Sequence, residues 1–409
     1  MKKNPLCVII LSNNVIIGFF VFPEESECEM EVYLDNSATT KPYDEVVDYM
    51  GRVALETYGN PSSLHRLGKN AEDLLETARH TVASFIDCKD NELYFTSGGT
   101  ESDNIAILGY ARANVRSGKR VITQLTEHAA VLEAFKQLEK EGFEVVYIDV
   151  DESGFPNLDE IRKSINDETI LLSFMYVNNE NGAIFPIDEI SAMCDHKKCM
   201  LHVDAVQAFG KMKISASKSR IDMMSISSHK IHGPRGIGAL YVRNGVKITP
   251  VAYGGNQESG LRSGTQNLPA VAGFAKACEL KFASLEADSE AIAGLKQEFI
   301  SLVRNKIDDV IVNSPSESVC SVVNISFPGV KSEVLLHVLE SKGIYVSTGS
   351  ACNSKKNKFS YVLKAMKLKN NVIDSAIRFS FSVFNTKEEI EYTAGVLEKE
   401  IPLLRKIMR

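Results

Sequence analysis

The sequence lacks several features that would assign it to a class at once. It contains no block of like charge, no internal repeat, no low-complexity tract and no proline-rich linker. With a net charge of −7 and no basic cluster, a nucleic-acid-binding surface is not expected. The eight cysteines are scattered over 409 residues, which argues against a disulfide framework and for a reducing compartment. We therefore expect an ordinary globular protein of the cytoplasm, with neither a nucleic acid nor a membrane as partner.

The first 29 residues lack a complete targeting signal. Two lysines precede an apolar run over residues 6–22, which polar residues 12–14 interrupt. The run is too interrupted for a good membrane span, and no A-x-A cleavage site follows it. Three interpretations remain: an added strand or disordered tail, a secretion or anchoring segment, or a start codon placed upstream of Met30. We treat residues 1–29 as an N-terminal extension and begin the predicted fold at residue 30.

Helical and apolar patterns alternate from residue 70 to residue 250. Helical patterns over residues 71–85 and 129–141 lie between short apolar runs. This alternation is typical of βαβ units and predicts a mostly parallel sheet. In such sheets ligands bind beyond the carboxyl ends of the strands, so the residues after each apolar run are candidates for the site. The apolar runs predicted as strands cover residues 92–96, 120–123, 144–148, 169–176, 200–203 and 223–227.

A second pattern follows the alternating region. A long helical pattern, broken or continuous, begins near Pro269 and ends near Ile307, and a smaller α+β pattern comes after it. We therefore predict a large domain over residues 30–280 and a small domain over residues 281–409, which residues 30–42 join. The elements predicted after the long helix are a strand over 322–327, a helix over 332–342, a strand over 344–347, and a C-terminal strand and helix.

Two polar motifs at predicted strand ends could bind an anion and a cation. Residues 96–104 contain Gly98, Gly99 and Thr100 and open a helix. This turn is either a phosphate cradle or a tight turn with Thr100 as N-cap, and it is not a P-loop because no Gly-Lys-[Ser/Thr] follows. Asp204 follows the apolar run that ends at Val203. Its carboxylate is either the partner of a protonated heterocyclic nitrogen or a helix N-cap.

Lys230 follows a third apolar run, among hydroxyl groups and glycines. This setting fits a Schiff-base lysine, whose pKa would be lowered by burial and by a neighbouring cation. The alternative is a surface lysine, the usual fate of this residue type. A phosphate-type turn, a strand-end aspartate and a strand-end lysine are three parts that an enzyme using pyridoxal 5′-phosphate (PLP) needs.

Eight motifs, taken together, resemble cysteine desulfurases of the NifS/IscS type. These enzymes are class V aminotransferases, and the resemblance implies the PLP-dependent fold type I: an α/β fold with a mostly parallel large-domain sheet and a smaller α+β domain. It also implies removal of sulfur from L-cysteine, giving L-alanine and an enzyme persulfide. A class V aminotransferase, a selenocysteine lyase and a non-catalytic sulfur carrier of the same fold remain alternatives. The motifs are residues 33–40, 59–63, 96–104, 127–128, 177–180, 202–205, 228–230 and 262–265.

The resemblance implies roles for individual residues. Lys230 holds the cofactor covalently, His128 stacks on its ring as a catalytic group, and Asp204 pairs with the ring nitrogen. Arg378 clamps the substrate carboxylate as a bidentate guanidinium can, and Asn36 lies beside the substrate. Further cofactor contacts are implied for Gly99, Thr100, Asn179 (which also serves the substrate), Gln207, Ser227, His229 and, reaching over from the second subunit of a homodimer, Thr265.

The predicted sulfur-accepting residue lies in a polar segment over residues 347–358. This segment is rich in glycine and serine, which indicates a mobile loop, and three lysines follow Cys352 within it. Nearby positive charge favours the reactive thiolate. From the residues alone, a loop cysteine without a task is the alternative, whereas the resemblance makes Cys352 the nucleophile. The implied receiver of its sulfur is an acceptor protein, either an iron–sulfur scaffold or an enzyme that thiolates tRNA or a cofactor.

One run of zinc-type residues does not fit a metal site. Cys194, His196, Cys199 and His202 span a predicted helix end and strand start, so their side chains should diverge. They also lack the paired spacing of a structural zinc site, and we expect no metal. Elsewhere His232 and Arg235 stand where tyrosine and lysine are frequent in the family, and we expect these two differences to be neutral.

Overall fold

A computed structural model of the chain describes residues 10–11, 14–15, 30–195, 198–349 and 360–408. Near the N-terminus, β1 (Ile10–Leu11) pairs antiparallel with β2 (Asn14–Val15). The main body begins with β3 (Val32–Tyr33). Among the helices of these described residues, none combines the length and apolar character that crossing a membrane requires.

A mostly parallel sheet of seven strands forms the centre of the larger core, which confirms the predicted α/β architecture. Its strand order is β4-β10-β9-β8-β7-β5-β6. The central strands are buried along their whole length, as continuous apolar runs in a sheet covered on both faces should be. The strands are β4 (Leu93–Thr96), β5 (Arg120–Gln124), β6 (Glu144–Ile148), β7 (Thr169–Met175), β8 (Met200–Asp204), β9 (Met223–Ser227) and β10 (Gly238–Val242).

Strand β10 was not among the strands predicted from the sequence. It runs antiparallel to both of its neighbours, β4 and β9, and joins them into one sheet. A Cβ at Gly238 would lie 2.7 Å from Cα of Gly98, so β10 lies directly against the glycine-rich turn. The first βα turn of the site therefore depends on a strand that comes much later in the chain.

Helices cover the sheet on both sides. The helix that residues 96–104 were predicted to open begins within that turn, at Gly99, and a π-helical turn over Ile105–Gly109 joins its two parts. The helices before the longest one are α1 (Asp44–Glu56), α2 (Arg66–Phe85), α3 (Gly99–Asn104), α4 (Tyr110–Ala113), α5 (Ala129–Lys140), α6 (Leu158–Ser164) and α7 (Ile187–Met193).

The longest helix, α8 (Leu268–Lys306), is continuous. The side chain of Asn267 accepts a hydrogen bond from the backbone N–H of Ala270, and Pro269 lies in the first turn, both of which favour a helix start. Its first half packs in the core beneath the large sheet, and its second half contributes Phe299 to a separate core. The helix therefore runs through the predicted domain boundary at residue 280, a division that stays a prediction.

The second core lies around two small sheets. Strands β11 (Ile311–Val312), β12 (Val322–Ser326) and β14 (Ala376–Ser380) form an antiparallel sheet, and β13 (Ile344–Tyr345) pairs in parallel with β3. Val32 and Leu34 are buried in this core, so the chain start packs with residues near its end. The remaining helices are α9 (Ser332–Glu340), α10 (Tyr361–Ala365), α11 (Asn370–Ile373) and α12 (Lys387–Ile407).

Candidate functional site

The glycine-rich turn and the end of β9 enclose a cavity of about 410 Å³. Its lining includes the predicted phosphate-binding residues Gly99, Thr100, Ser227 and His229. The Ser227 hydroxyl is buried and has no hydrogen-bond partner among the described residues, so it can donate to a ligand. Arg235 also lines the cavity, although we expected its presence to be neutral. One cation and hydroxyl groups at two strand ends make this cavity suitable for an anion, and we call it the anion pocket.

The two glycines of the turn have separate steric reasons. Gly98 has a φ of 150°, which other residues rarely adopt. A Cβ at Gly99 would lie 2.6 Å from Cγ2 of Val206, so only a glycine lets the turn approach the end of β8 this closely. The anion pocket and Asp204 are therefore held close together by packing.

Three buried carboxyl groups, Asp103, Glu127 and Asp204, lie together near the end of β8 and form a carboxylate cluster. Oδ1 of Asp204 accepts a hydrogen bond from the backbone N–H of Val206 at 2.9 Å. Burial raises the pKa of all three groups, and it raises that of Glu127 to about 8. Because like charges in one buried place oppose ionisation, the cluster favours a ligand that brings a positive charge.

The other two members of the cluster have few partners. Oε1 of Glu127 accepts hydrogen bonds from the side chain of Gln124 at 2.8 Å and from the N–H of Met175 at 2.6 Å. Its Oε2 and the Oδ1 atom of Asp103 have no hydrogen-bond partner among the described residues. Sequence reasoning did not identify Glu127 or Asp103, although both lie within the recognised motifs and Glu127 precedes His128.

His128 begins α5. Its Nδ1 accepts a hydrogen bond from the N–H of Ala130 at 3.2 Å, which places the proton of the neutral ring on Nε2. Burial lowers the pKa of His128, while the charge of Asp204 opposes this and that of Lys230 adds to it. His128 therefore lies close enough to both Asp204 and Lys230 for their charges to act on it.

Lys230 ends a short helical turn after β9, and its Nζ donates to two backbone carbonyl groups. These belong to Ser37 and Ala38, the latter at 2.8 Å. The segment that carries them is held in turn by Thr40, whose N–H and hydroxyl both donate to the carbonyl of His229. The motif at residues 33–40 thus serves the lysine through its backbone, a contact that side-chain types could not reveal.

A small cavity of about 20 Å³ lies behind Lys230. Lys211, Lys230 and Lys281 line it together, and we call it the lysine cavity. Nε2 of Gln207 donates to the Ser37 carbonyl at 3.0 Å, beside the contact of Lys230. Asn36 also lines the cavity, but its Nδ2 donates to the carbonyl of Ser380 at 2.8 Å. Because the amide nitrogen of Asn36 is occupied in this way, a substrate contact of Asn36 would use its amide oxygen.

Arg378 lies buried on β14, and its guanidinium binds Asp35 and the backbone of Asn179. Its Nη2 donates to Oδ1 of Asp35 at 2.7 Å, and its Nη1 donates to the carbonyl of Asn179 at 2.9 Å. Nε of Arg378 and the side-chain oxygen of Asn179 have no partner among the described residues. The guanidinium thus already holds one carboxylate, and its Nε is the nitrogen left to bind a further group.

Two predicted residues do not join this geometry. Thr265 is exposed and lines neither cavity, so it does not reach the anion pocket of its own chain. Cys352 and most of its segment lie outside the described residues. On the described flanks, Ser347 pairs with the backbone of Arg378 and Ser360 donates to the carboxylate of Glu180. The described flanks of Cys352 are therefore held beside Arg378 on one side and beside Glu180 on the other.

The structure describes Cys194, Cys199 and His202 of the zinc-type run, whereas His196 lies outside the described residues. Cys194 and Cys199 are close enough for a hydrogen bond, but the ring of His202 turns to the hydroxyls of Ser173 and Ser225 at 2.8 and 3.0 Å. No group of three or more histidine, cysteine or acidic side chains that could hold a metal occurs among the described residues.

The site matches the chemical groups of PLP one by one. The anion pocket has a buried hydroxyl without a partner and a close-packed glycine turn, as a phosphate needs. The carboxylate cluster suits a protonated ring nitrogen, and the amine of Lys230 suits an aldehyde. The described residues therefore fit this cofactor.

Comparisons with known proteins agree with this geometry. The model of the family "Aminotransferase class-V" matches residues 32–393. The chain is similar to cysteine desulfurase IscS of Dictyoglomus turgidum, with 42% identity over 92% of this chain and 96% of that protein. A solved structure of a NifS-like protein shares 37% identity with a TM-score of 0.87, over 92% of this chain and all of the other. A structure of SspA in complex with cysteine shares 31% identity with a TM-score of 0.78, over 87% of this chain and all of the other.

Proposed function

Because the chain belongs to the class V aminotransferase family and is a cysteine desulfurase, we propose that it works at the site around Lys230, with PLP as cofactor and Cys352 as sulfur acceptor. The observation that carries the proposal is the convergence of the anion pocket, the carboxylate cluster and Lys230 at neighbouring strand ends. The 42% identity to a cysteine desulfurase supports the choice of reaction.

The cofactor would be held by residues from three strand ends. Gly99, Thr100, Ser227 and His229 would bind its phosphate, and Asp204 its ring nitrogen. When bound, PLP supplies an electron sink for the negative charge that develops on substrate carbon atoms. Lys230 would hold it covalently, with His128 over the ring and Gln207 and Asn179 at the ring hydroxyl. Thr265 would contribute from the second subunit of a homodimer, which its exposure in its own chain supports.

The protein's own groups would then perform binding, proton transfer and sulfur transfer. Arg378 would bind the carboxylate of L-cysteine, beside Asn36 and Asn179. The free amine of Lys230 would remove the Cα proton, since the lone pair of an uncharged amine can accept a proton. His128, whose pKa burial lowers, would donate the proton on its Nε2 atom and later take a proton back there.

The sulfur-transfer step is balanced by one bond formed and one bond broken. The Cys352 thiolate would attack the substrate sulfur, so that an S–S bond forms as the Cβ–S bond breaks. The electron pair of the broken bond would stay on Cβ, which takes up a proton to become the methyl group of L-alanine. Cys352 would carry the persulfide to an acceptor protein. The described flanks support this, because Ser347 pairs with Arg378, the proposed substrate-binding residue, and Ser360 binds Glu180, next to Asn179 in the chain.

The decisive experiment is a cysteine replacement with a matched control. In Cys352→Ser, PLP and cysteine should still bind, but no sulfur adduct should form, because a serine hydroxyl is un-ionised at neutral pH and a poor nucleophile toward sulfur. Cys88→Ser is the control, since burial raises the pKa of Cys88 to about 12 and keeps it a thiol. Mass spectrometry of cysteine-treated protein locates the adduct. A sulfur adduct on another cysteine, with Cys352→Ser fully active, would refute the assignment.

The same preparation separates the neighbouring activities. A desulfurase releases alanine and, under reductant, one sulfide per turnover without an added keto acid, whereas an aminotransferase requires an amino-group acceptor. A comparison of cysteine with selenocysteine as substrate separates a desulfurase from a selenocysteine lyase. The acceptor protein can be found by capturing proteins that take labelled sulfur from the persulfide.

The shared site of the homodimer is tested by mixing two inactive variants. A Lys230→Ala chain and a Thr265→Ala chain should each be inactive or weak alone. Hybrid dimers should regain one site, built from Lys230 of one chain and Thr265 of the other. If hybrids form and no activity returns, Thr265 does not act across the interface.

A further inference from the structure

Residues 255–266 lie between β10 and α8 and include Thr265, and we call them the Thr265 loop. Most of this loop is exposed or half-buried, whereas Glu258 within it is buried. The backbone at Glu258 and Ser259 is left-handed, with φ angles of 47° and 54°, which residues other than glycine rarely adopt. A buried carboxylate in such a backbone persists only where its surroundings hold it.

Arg79 of α2 holds the Glu258 carboxylate at both oxygens. Nη1 of Arg79 donates to Oε2 of Glu258 at 2.8 Å, and Nη2 donates to Oε1 at 3.1 Å. Arg79 is itself buried, and its Nη1 also donates to the carbonyl of Leu93 at 2.7 Å. Oε2 of Glu258 accepts a further hydrogen bond from the N–H of Phe95 at 2.9 Å. This ion pair, which we call the loop anchor, therefore fixes one point of the Thr265 loop against β4.

Two hydrogen bonds within the loop connect the loop anchor to the neighbours of Thr265. Nε2 of Gln266 donates to Oε1 of Glu258 at 3.2 Å, and the N–H of Gly264 donates to Oε1 of Gln257 at 3.0 Å. The residues on both sides of Thr265 are thus bound to Glu258 or to the residue before it. Thr265 itself is exposed, so a buried ion pair sets the position of a side chain that a second chain can reach.

We propose that Arg79, acting through Glu258, is a positioning residue for the cofactor site of the partner subunit: the loop anchor fixes the loop that presents Thr265 to that site. The inference rests on the proposed function, in which Thr265 contributes across the homodimer. A buried ion pair adds little stability over apolar residues of similar volume, whereas its two-point contact fixes an orientation. An arginine on α2 of one chain thus acts on the site around Lys230 of the other.

The loop anchor also contacts β4 of its own chain, which defines the alternative role. Leu93 and Phe95 lie in β4, and this strand leads into the glycine-rich turn of the anion pocket. If Arg79 served only to hold β4, its loss would weaken the site of its own chain. The two roles therefore predict losses at opposite sites of one dimer.

The test uses hybrid dimers of full-length chains, purified through two different affinity tags, stripped of cofactor and titrated with PLP. One chain carries Lys230→Ala and cannot hold PLP covalently, so the visible absorbance reports only the site that keeps Lys230. That site takes its Thr265 from the Lys230→Ala chain. Arg79→Met, added to the Lys230→Ala chain, should raise the PLP concentration for half-maximal absorbance about tenfold, as loss of a hydrogen bond to a charged group does. Added to the chain that keeps Lys230, it should leave the titration unchanged.

A second variant and a matched control accompany this test. Glu258→Gln removes the charge of the loop anchor but keeps its shape, and it should weaken PLP binding in the same arrangement even if Arg79→Met does not fold. Arg243→Met is the control. Arg243 pairs with the buried Asp222 at 2.7 Å, and Asp222 likewise accepts a backbone N–H, that of Leu201 at 2.8 Å. Its replacement should leave the titration unchanged in either chain.

The position of the loss decides the outcome. No loss in either arrangement, equal losses in both, or a loss only when Arg79→Met lies in the chain that keeps Lys230 would overturn the proposal. Failure of the proposed function would look different, because Thr265→Ala in the Lys230→Ala chain would then leave the titration unchanged. If Thr265→Ala weakens PLP binding from that chain and Arg79→Met does not, the shared site stands and the role of the loop anchor fails alone.

Discussion

The carboxylate cluster and the lysine cavity gather charges of opposite sign in one site, and burial acts on them in opposite directions. It raises the pKa of Asp103 and Glu127, and it lowers the pKa of Lys211. In both regions the neutral form is the one that burial favours. The two regions differ in what they offer a ligand. The cluster favours a ligand that brings a positive charge, whereas the cavity supplies an amine that can act as a base.

Removal of Lys230 should have the largest effect, because this residue connects the two regions: it lines the lysine cavity, and its charge lowers the pKa of Asp204. Lys230→Ala should abolish turnover and the visible absorbance of the resting enzyme, since covalent attachment of the cofactor requires this amine. Absorbance spectra and an alanine assay measure both effects, with Lys296→Ala as the control. A resting spectrum identical to that of the wild type would show that another group holds the cofactor.

A pair of substitutions should separate the members of the carboxylate cluster. Asp204→Asn should lower kcat by about 100-fold or more, because a neutral amide cannot hold a protonated ring nitrogen. Asp103→Asn should cost less than about tenfold, since burial raises the pKa of Asp103 and so favours its neutral acid, which a neutral amide resembles. Steady-state kinetics on both variants decide the point. Equal losses would mean that the two carboxyl groups act as one unit.

The smallest effect concerns stability and pH. Burial raises the pKa of Glu127 from its ordinary value of 4.5 to about 8, so the folded protein holds a proton that the unfolded chain releases. The stability that this group contributes is complete below pH 4.5 and is lost as the pH rises through 8. Glu127→Gln should remove this loss, so its Tm relative to the wild type should be a few degrees higher at pH 9 than at pH 5. Thermal melts at both values measure it, and a pH-independent Tm difference would contradict the assignment.

The sequence predicted the parallel part of the fold because that part follows from local patterns. The strands at residues 144–148 and 223–227 were predicted with their observed bounds, since each is an apolar run between helical patterns. Strand β10 was missed because its place depends on pairing with β4 and β9, which the order of elements along the chain does not reveal. The continuity of α8 likewise depends on two cores that only the folded chain brings to it.

The site shows the same division. The positions of Asp204 and Lys230 could be predicted from the strand ends that precede them, because the carboxyl ends of parallel strands lie at one edge of a sheet. The contact between Lys211 and Gln207 could have been suspected from their spacing of four residues, but their link to Lys230 passes through the backbone of Ser37, far away in the chain. The pair formed by Asp35 and Arg378 spans almost the whole chain, and no local pattern carries it.

The uninterrupted helix α8 also bears on how the molecule comes apart. Its first half is buried with residues such as Phe274 in one core, and its second half is buried with Phe299 in the other. At a rise of about 1.5 Å per residue, such a helix acts as a stiff rod. Because both cores pack against the same helix, loss of one core exposes half of α8 and weakens the support of the half that packs in the other core. Unfolding should therefore be a single cooperative event, and rotation of one half against the other would require this rod to bend.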